Sequence, residues 1–160
     1  QEANRGLFSF LSTVTGGYFS SRLMQRLREK EGYTYGVYSD STYFGNQSLF
    51  TIGGEVNAQS TRASIDACFE ELDRLCREPI PDEEMKMVRH FIEGSLLRRV
   101  ENSVSYMQQF NIWQSYGLDE TEFRKMLQIV NVITSEEVME LAKNFFEYNK
   151  FTQIVVGNFL

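Results

Sequence analysis

The chain has 160 residues, of which 42% are hydrophobic and 24% are charged, and its formal net charge is -6 at pH 7. We therefore expect residues 1–160 to form a single domain that is long enough to bury a hydrophobic core. The acidic balance argues against a nucleic-acid interface, and no apolar run is long enough to cross a membrane, so neither is expected as a partner.

Apolar residues at helical spacing predict a first helix over residues 2–15. Its apolar face is predicted to consist of Leu7, Phe8, Leu11 and Val14, with Phe10 and Phe19 packed at its edge. Gly16-Gly17 is predicted to end the helix, because glycine accepts the left-handed conformation that a helix C-terminus often needs.

A second, short helix is predicted between a serine N-cap, Ser20 or Ser21, and a C-terminal glycine, Gly32. Its buried stripe is predicted to be Leu23, Met24 and Leu27, and its wet face Arg22, Arg26 and Glu29. Arg28 follows Met24 by four residues and is expected at the border of the stripe.

Two strands, 34–44 and 47–56, are predicted to form a hairpin that turns at Gly45-Asn46. The first has the aromatic and β-branched content of a strand and carries Tyr35 near its start. Gly53-Gly54 in the second strand indicates a bulge or the close approach of another backbone.

The remaining periodic segments predict helices over about 57–78, 82–116, 123–130 and 134–145, and a closing strand over Phe151 to Val156. The long helix predicted over 82–116 is expected to bend at Glu101-Asn102-Ser103 and to end at Gly117. Thr134 to Glu137 has the pattern of a capping box. This order predicts an α+β fold, with an antiparallel or mixed sheet and helices packed on one face.

The residues that usually carry chemistry are few in this sequence. His90 is the only histidine, whereas a catalytic zinc ion needs three protein ligands and nucleophilic triads need a paired histidine. We therefore predict no metal site in this domain and a helix-surface position for His90. Cys68 and Cys76 are eight residues apart on one predicted helix, about 12 Å along its axis, which is too far for a disulfide. Two free thiols fit a reducing compartment, so the expected location is cytoplasmic.

Arg28 and Tyr35 are the candidate site residues, seven positions apart on the two sides of the Gly32 helix stop. Spacing alone also allows a purely structural interpretation. An arginine near a helix C-terminus complements the helix dipole, and a strand tyrosine usually packs as a half-buried aromatic.

The segment from Gly16 to Ser39, GGYFSSRLMQRLREKEGYTYGVYS, resembles the signature of the pitrilysin-type zinc metallopeptidases, which include insulin-degrading enzyme and the mitochondrial processing peptidase. More narrowly, it is similar to their second, non-metal-binding domain. The matching positions are Gly16-Gly17, Ser21-Arg22-Leu23, Leu27-Arg28-Glu29-Lys30 and Tyr35. Many relatives have Gly-Leu before the strand, where this chain has Gly32-Tyr33. Family members also have a strand before the first helix, so the resemblance implies a half-domain fragment that lacks its first strand.

The resemblance implies that Arg28 and Tyr35 bind the substrate near the scissile bond, at the active site of a zinc-binding homologous domain or subunit. The zinc is then expected in that partner, with a peptide as substrate, and this domain is not catalytic on its own. The chemistry is plausible, because positioned donors stabilise the negative charge that develops on an attacked carbonyl oxygen.

Two alternatives stay open at this stage. The domain could be a non-catalytic structural subunit, as in the family's core proteins of respiratory complexes. It could also be a peptide-binding module that presents its hairpin edge for strand addition.

Overall fold

The computed structural model describes residues 2–44 and 47–157. In chain order its elements are α1 (Glu2–Ser12), a π-helical turn (Thr13–Gly17), the corner helix (Met24–Lys30, also π-helical), β1 (Thr34–Phe44), β2 (Gln47–Val56), α2 (Thr61–Arg77), α3 (Asp82–Arg98), α4 (Ser103–Ser115), α5 (Thr121–Val132) and α6 (Ser135–Phe145). Short 3₁₀ turns, Ala58–Ser60 and Tyr148–Lys150, precede α2 and follow α6. The predicted hairpin turn at Gly45-Asn46 lies outside the described residues.

Helix α1 is the centre of the fold, since it packs against β1, α3, α5 and α6. This position explains why Phe10 is completely buried, although its spacing had placed it at the helix edge. A helix that is covered from several directions buries more than one stripe. The main core is completed by Leu11, Val14, Leu75, Ile80, Met85, Val88, Ile92, Leu96, Val130, Ile133, Val138 and Ala142.

The predicted hairpin is confirmed, because β1 pairs with β2 in an antiparallel ladder. Along β1 the side chains alternate: Val37 and Ser39 are buried, whereas Tyr38 and Asp40 are exposed. One face of the hairpin therefore packs on α1 and on the two π-helical segments, which gives the α+β arrangement that the sequence predicts. No helix in the described parts of the chain combines the length and apolar character needed to cross a bilayer.

Gly53 and Gly54 do not form a bulge, which corrects one of the two expectations for them. The ladder is regular there, pairing Tyr38 with Gly53 and Val37 with Gly54. Gly54 is instead needed for space, because an added Cβ would lie 2.9 Å from the backbone oxygen of Gly36. A Cβ on Gly53 would lie 2.6 Å from the hydroxyl of Tyr38, an exposed side chain that can move aside.

Gly16-Gly17 ends the first helical segment as predicted, but the predicted reason is wrong. Neither residue has a left-handed φ. Gly16 is required because the β1 backbone crosses it closely: an added Cβ would lie 2.6 Å from the amide nitrogen of Ser39. At the same crossing the Ser39 hydroxyl donates to the Ser12 carbonyl over 2.6 Å. The glycine therefore lets β1 lie directly on the end of α1.

The single helix predicted over 82–116 is two helices in the structure. Helix α3 ends at Arg98, and α4 begins at Ser103 after Asn102, whose side-chain oxygen accepts from the amides of Val104 and Ser105 at 3.1 and 3.0 Å. An asparagine in this role caps a new helix rather than bending an old one. The predicted stop at Gly117 is confirmed by its φ of 65°. The capping box of α6, between Thr134 and Glu137, is also confirmed.

The prediction of a closing strand over Phe151 to Val156 is wrong, since within residues 2–44 and 47–157 no ladder joins this segment to β1 or β2. Phe151 anchors the segment through ring contacts with Phe69 and Phe146 at centroid distances of 5.4 and 6.1 Å. Two cavities, of about 510 and 640 Å³, lie where the segment faces β2 over the helix α2.

Candidate functional site

The candidate site is the bend between the corner helix and β1. The corner helix ends with Glu31 N donating to Arg26 O over 3.1 Å and Tyr33 N donating to Leu27 O over 2.9 Å. Gly32 lies between these bonds with a φ of 66°, which a residue with a Cβ rarely adopts. The C-terminal glycine predicted at this position is thus confirmed, and it turns the chain directly into β1.

The predicted apolar stripe of the corner helix anchors it to the rest of the domain. Leu23, Met24 and Leu27 are buried against Val37 of β1 and Ala67 of α2 in a second, smaller core. This contact fixes the side of the helix that carries Arg28 relative to the strand that carries Tyr35.

The corner helix is also held by an ion pair that the sequence pattern did not indicate. Arg22, predicted on the wet face, has a side chain only 10% exposed and donates to both carboxylate oxygens of Glu84 in α3, at 2.9 and 2.8 Å. Beside this pair, burial and the negative charge of Glu84 raise the pKa of the Tyr18 hydroxyl, partly opposed by Arg22. Helical periodicity reports the dominant face of a helix, whereas this pairing depends on α3, sixty-two positions away.

The predicted serine N-cap is wrong for this helix. The Ser21 hydroxyl is buried and finds no hydrogen-bond partner among the described residues. Gln25 N donates to the backbone oxygen of Ser21 over 2.9 Å, so the first turn forms without a side-chain cap. The buried packing of Leu23 and its neighbours replaces the missing cap as the source of stability.

Arg28 is half-buried at the border of the stripe, as its spacing predicts. Its guanidinium carbon lies 4.5 Å from the ring centroid of Phe19. Phe19 was expected to pack at the edge of the first helix, but it is 63% exposed and lies against Arg28 instead. Within residues 2–44 and 47–157, Arg28 makes no hydrogen bond or ion pair, whereas Arg22 and Arg26 are both paired with carboxylates.

Tyr35 projects from a β-bulge, which the sequence did not indicate. The strand register skips Tyr35: Thr34 is opposite Val56 and Gly36 is opposite Glu55. The Thr34 hydroxyl accepts from Gly36 N over 3.0 Å and lies against the backbone oxygens of Gly36 and Glu55. A bulge redirects a side chain away from the ladder, and Tyr35 is accordingly 98% exposed.

The fold therefore places Arg28 and Tyr35 on the two sides of one bend, both with their polar groups accessible. A cavity of about 510 Å³ is lined by Leu27, Thr34 and Val37 of the same corner, but neither Arg28 nor Tyr35 lines it. An exposed guanidinium and a phenol in this arrangement are donors that an external acceptor can use.

The described His, Cys, Asp and Glu residues do not fit a zinc site. His90 is 82% exposed on α3, and its Nδ1 lies 3.7 Å from a carboxylate oxygen of Glu93. Elsewhere in the described residues, no three His, Cys, Asp or Glu side chains come together as a metal-binding group. Cys68 and Cys76 are free, and burial raises the pKa of the Cys68 thiol to about 11, so it is a neutral packing group at pH 7.

A comparison with protein-family models matches residues 2–91 to the peptidase M16 inactive domain. The chain belongs to this family. The matched region contains α1, the corner, the hairpin and α2, so the M16 inactive domain includes both candidate residues.

Curated relatives of this M16 inactive domain include uncharacterized zinc proteases from Streptomyces coelicolor, 25% identical over 89% of this chain, and from Bacillus subtilis, 29% identical over 85%. A protein from Helicobacter pylori, 26% identical over 91% of the chain, is named a non-peptidase homolog. The chain spans about a third of the length of these relatives, covering 31%, 33% and 34% of them respectively.

Among solved structures, a peptidase M16 inactive domain from Pseudomonas fluorescens matches 90% of this chain with a TM-score of 0.79 and 21% identity, over 34% of its own length. A chain of complex III2 from Candida albicans matches 89% with a TM-score of 0.70 and 14% identity, over 36% of its length. At these identities the likeness establishes the fold only.

Proposed function

We propose that this M16 inactive domain is the non-zinc half of a zinc metalloendopeptidase, and that Arg28 and Tyr35 bind the substrate backbone. In this proposal the domain closes a peptide chamber opposite a homologous zinc-binding domain or subunit. The metal chemistry belongs to that partner. This chain supplies donors for the carbonyl oxygen of the scissile bond, where negative charge develops during hydrolysis.

One observation carries the proposal: on the two sides of the bend, Arg28 makes no hydrogen bond or ion pair with the described residues, and the side chain of Tyr35 is 98% exposed. Arg22 is committed to Glu84, and Arg26 to Glu31 and Glu70. Toward the described residues, the N–H donors of Arg28 are uncommitted, and the bulge turns the Tyr35 side chain outward.

The test uses the complete assembly with its zinc-bearing half, assayed with a pool of internally quenched random-sequence peptides. Arg28→Ala should lower kcat/KM by about 10²-fold, the loss that follows removal of a charged donor from a developing oxyanion. Tyr35→Phe should lower it by about tenfold, as expected for one neutral hydrogen bond. The zinc content, measured by elemental analysis, and the melting temperature should stay at the parent values.

Arg62→Ala and Tyr148→Phe are matched controls. Both are exposed residues away from the bend, with Arg62 on α2 and Tyr148 on the turn after α6. They should leave kcat/KM unchanged. If Arg28→Ala and Tyr35→Phe behave like these controls, the proposed substrate contact is wrong.

A second candidate function is a non-catalytic structural subunit of the same fold. The similarity to a Helicobacter pylori non-peptidase homolog and to a chain of Candida albicans complex III2 favours it. Under this alternative, the assembly does not hydrolyse the peptide pool even when zinc is supplied, and substitutions at the bend alter neither its composition nor its stability.

A further inference from the structure

Phe19 and Arg28 form a cation–π pair at the edge of the proposed site. The guanidinium carbon lies 4.5 Å from the ring centroid, inside the range of about 6 Å over which cation–π attraction acts. The ring is 63% exposed, so Phe19 gains little from burial at this position. The cation–π contact with Arg28 is therefore the main interaction of the Phe19 ring.

A ring and a carboxylate hold an arginine in different ways. A carboxylate accepts the in-plane N–H groups, as Glu84 does from Arg22 over 2.9 and 2.8 Å. An aromatic ring attracts the guanidinium through its π face and offers no carboxylate or carbonyl oxygen to its N–H groups. The contact with Phe19 thus restrains Arg28 without a carboxylate binding the donors that a substrate carbonyl needs.

The segment that carries Phe19 is itself anchored. Ser21 N donates to Tyr18 O over 3.1 Å, which closes the turn around Phe19. The Tyr18 ring packs on Phe91 of α3 with a centroid distance of 5.5 Å. The ring of Phe19 is therefore presented by a fixed turn and not by a free loop.

We propose that Phe19 is a positioning residue, which holds the Arg28 guanidinium over its ring and leaves the N–H donors of Arg28 free for the substrate. This inference rests on the function proposed above for Arg28. It assigns to an exposed aromatic residue a role that acts through Arg28 alone.

A double-mutant cycle on the complete assembly tests the proposal, with the same quenched peptide pool as the probe. Phe19→Leu keeps an apolar side chain but removes the aromatic face, and it should lower kcat/KM by about two- to fivefold, the range that an exposed cation–π contact supports. Phe19→Tyr keeps the face and should restore the parent value. In an Arg28→Ala background, Phe19→Leu should have no further effect. Phe110→Leu, which removes a 39%-exposed ring on α4, is the control and should leave kcat/KM unchanged.

Crystal structures of the parent assembly and its Phe19→Leu variant give a readout that does not depend on turnover. We expect one Arg28 conformation in the parent and several in the variant. A single, unmoved Arg28 in the variant overturns the positioning role, as does an equal effect of Phe19→Leu in both backgrounds. If Arg28→Ala alone leaves hydrolysis unchanged, the function proposed above fails, and the Arg28 conformation still decides the role of Phe19.

Discussion

Gly16→Ala is a direct test of how the fold builds the bend. The added Cβ would lie 2.6 Å from Ser39 N and 3.0 Å from both Ser39 Oγ and the carbonyl carbon of Tyr38. Ordinary contact begins at 3.4 Å, so relief needs a shift of about 0.8 Å (3.4 minus 2.6) between the π-helical turn and β1. The nearest atoms belong to the backbone, and they cannot rotate away as a side chain can.

The expected cost of Gly16→Ala is about 3 kcal/mol. Overpacking contributes about 1–3 kcal/mol, and displacement of β1 also weakens the 2.6 Å hydrogen bond from the Ser39 hydroxyl to Ser12 O, worth about 1 kcal/mol. For a chain of this size the melting temperature should fall by about 6–12 °C.

This cost is measured by urea denaturation. Unfolding is monitored by far-UV circular dichroism and by the fluorescence of Trp113, the single tryptophan, which is 6% exposed. Gly94→Ala in α3 is the matched control. Its Cβ would meet only Arg98 Nη1, at 3.5 Å, so helix propensity should make it stabilising by about 0.5–1 kcal/mol. A free energy of unfolding for Gly16→Ala within about 0.5 kcal/mol of the parent value would refute the close-crossing explanation.

Three further predictions concern the supports of the bend. Arg22→Ala should lower the free energy of unfolding, measured by urea denaturation, by about 3 kcal/mol, because it leaves the mostly buried Glu84 carboxylate unpaired. A loss below about 0.5 kcal/mol would contradict this. Thr34→Val should cost about 1–2 kcal/mol and speed hydrogen exchange at the Gly36 amide, and unchanged exchange would show that the hydroxyl does not hold the bulge. Because burial raises the pKa of Cys68 to about 11 from 9.0, the folded state favours the neutral thiol, and this contribution is lost as pH rises through 11. The stability of Cys68→Ala should therefore fall less than that of the parent between pH 9 and 11, and parallel curves would exclude the shift.

Much of the local structure follows from the sequence, because the interactions that set it lie within a few residues. Gly32 and Gly117 end helices with left-handed φ values, and Thr134 with Glu137 begins one with a capping box. The candidate pair at the bend was also predictable by position, since a helix stop before a strand places Arg28 and Tyr35 on its two sides.

The tertiary structure decided what depends on residues far apart in the chain. Gly16 is needed for a crossing with Ser39, and Arg22 is buried by Glu84, so neither role has a local signature. The segment after α6 has the composition of a strand, but it lies across a groove from β2. It is not a strand, because a strand needs a hydrogen-bonded neighbour and the described residues provide none.

The same distinction applies to the site. The sequence by itself determined which donors lie beside the bend, through the residue types and spacing of one short segment. Only the folded chain decided that the Arg28 guanidinium lies over the Phe19 ring, with no carboxylate partner among the described residues, and that a bulge turns Tyr35 outward. Both outcomes depend on contacts between segments, and a linear pattern of residue types does not specify such contacts.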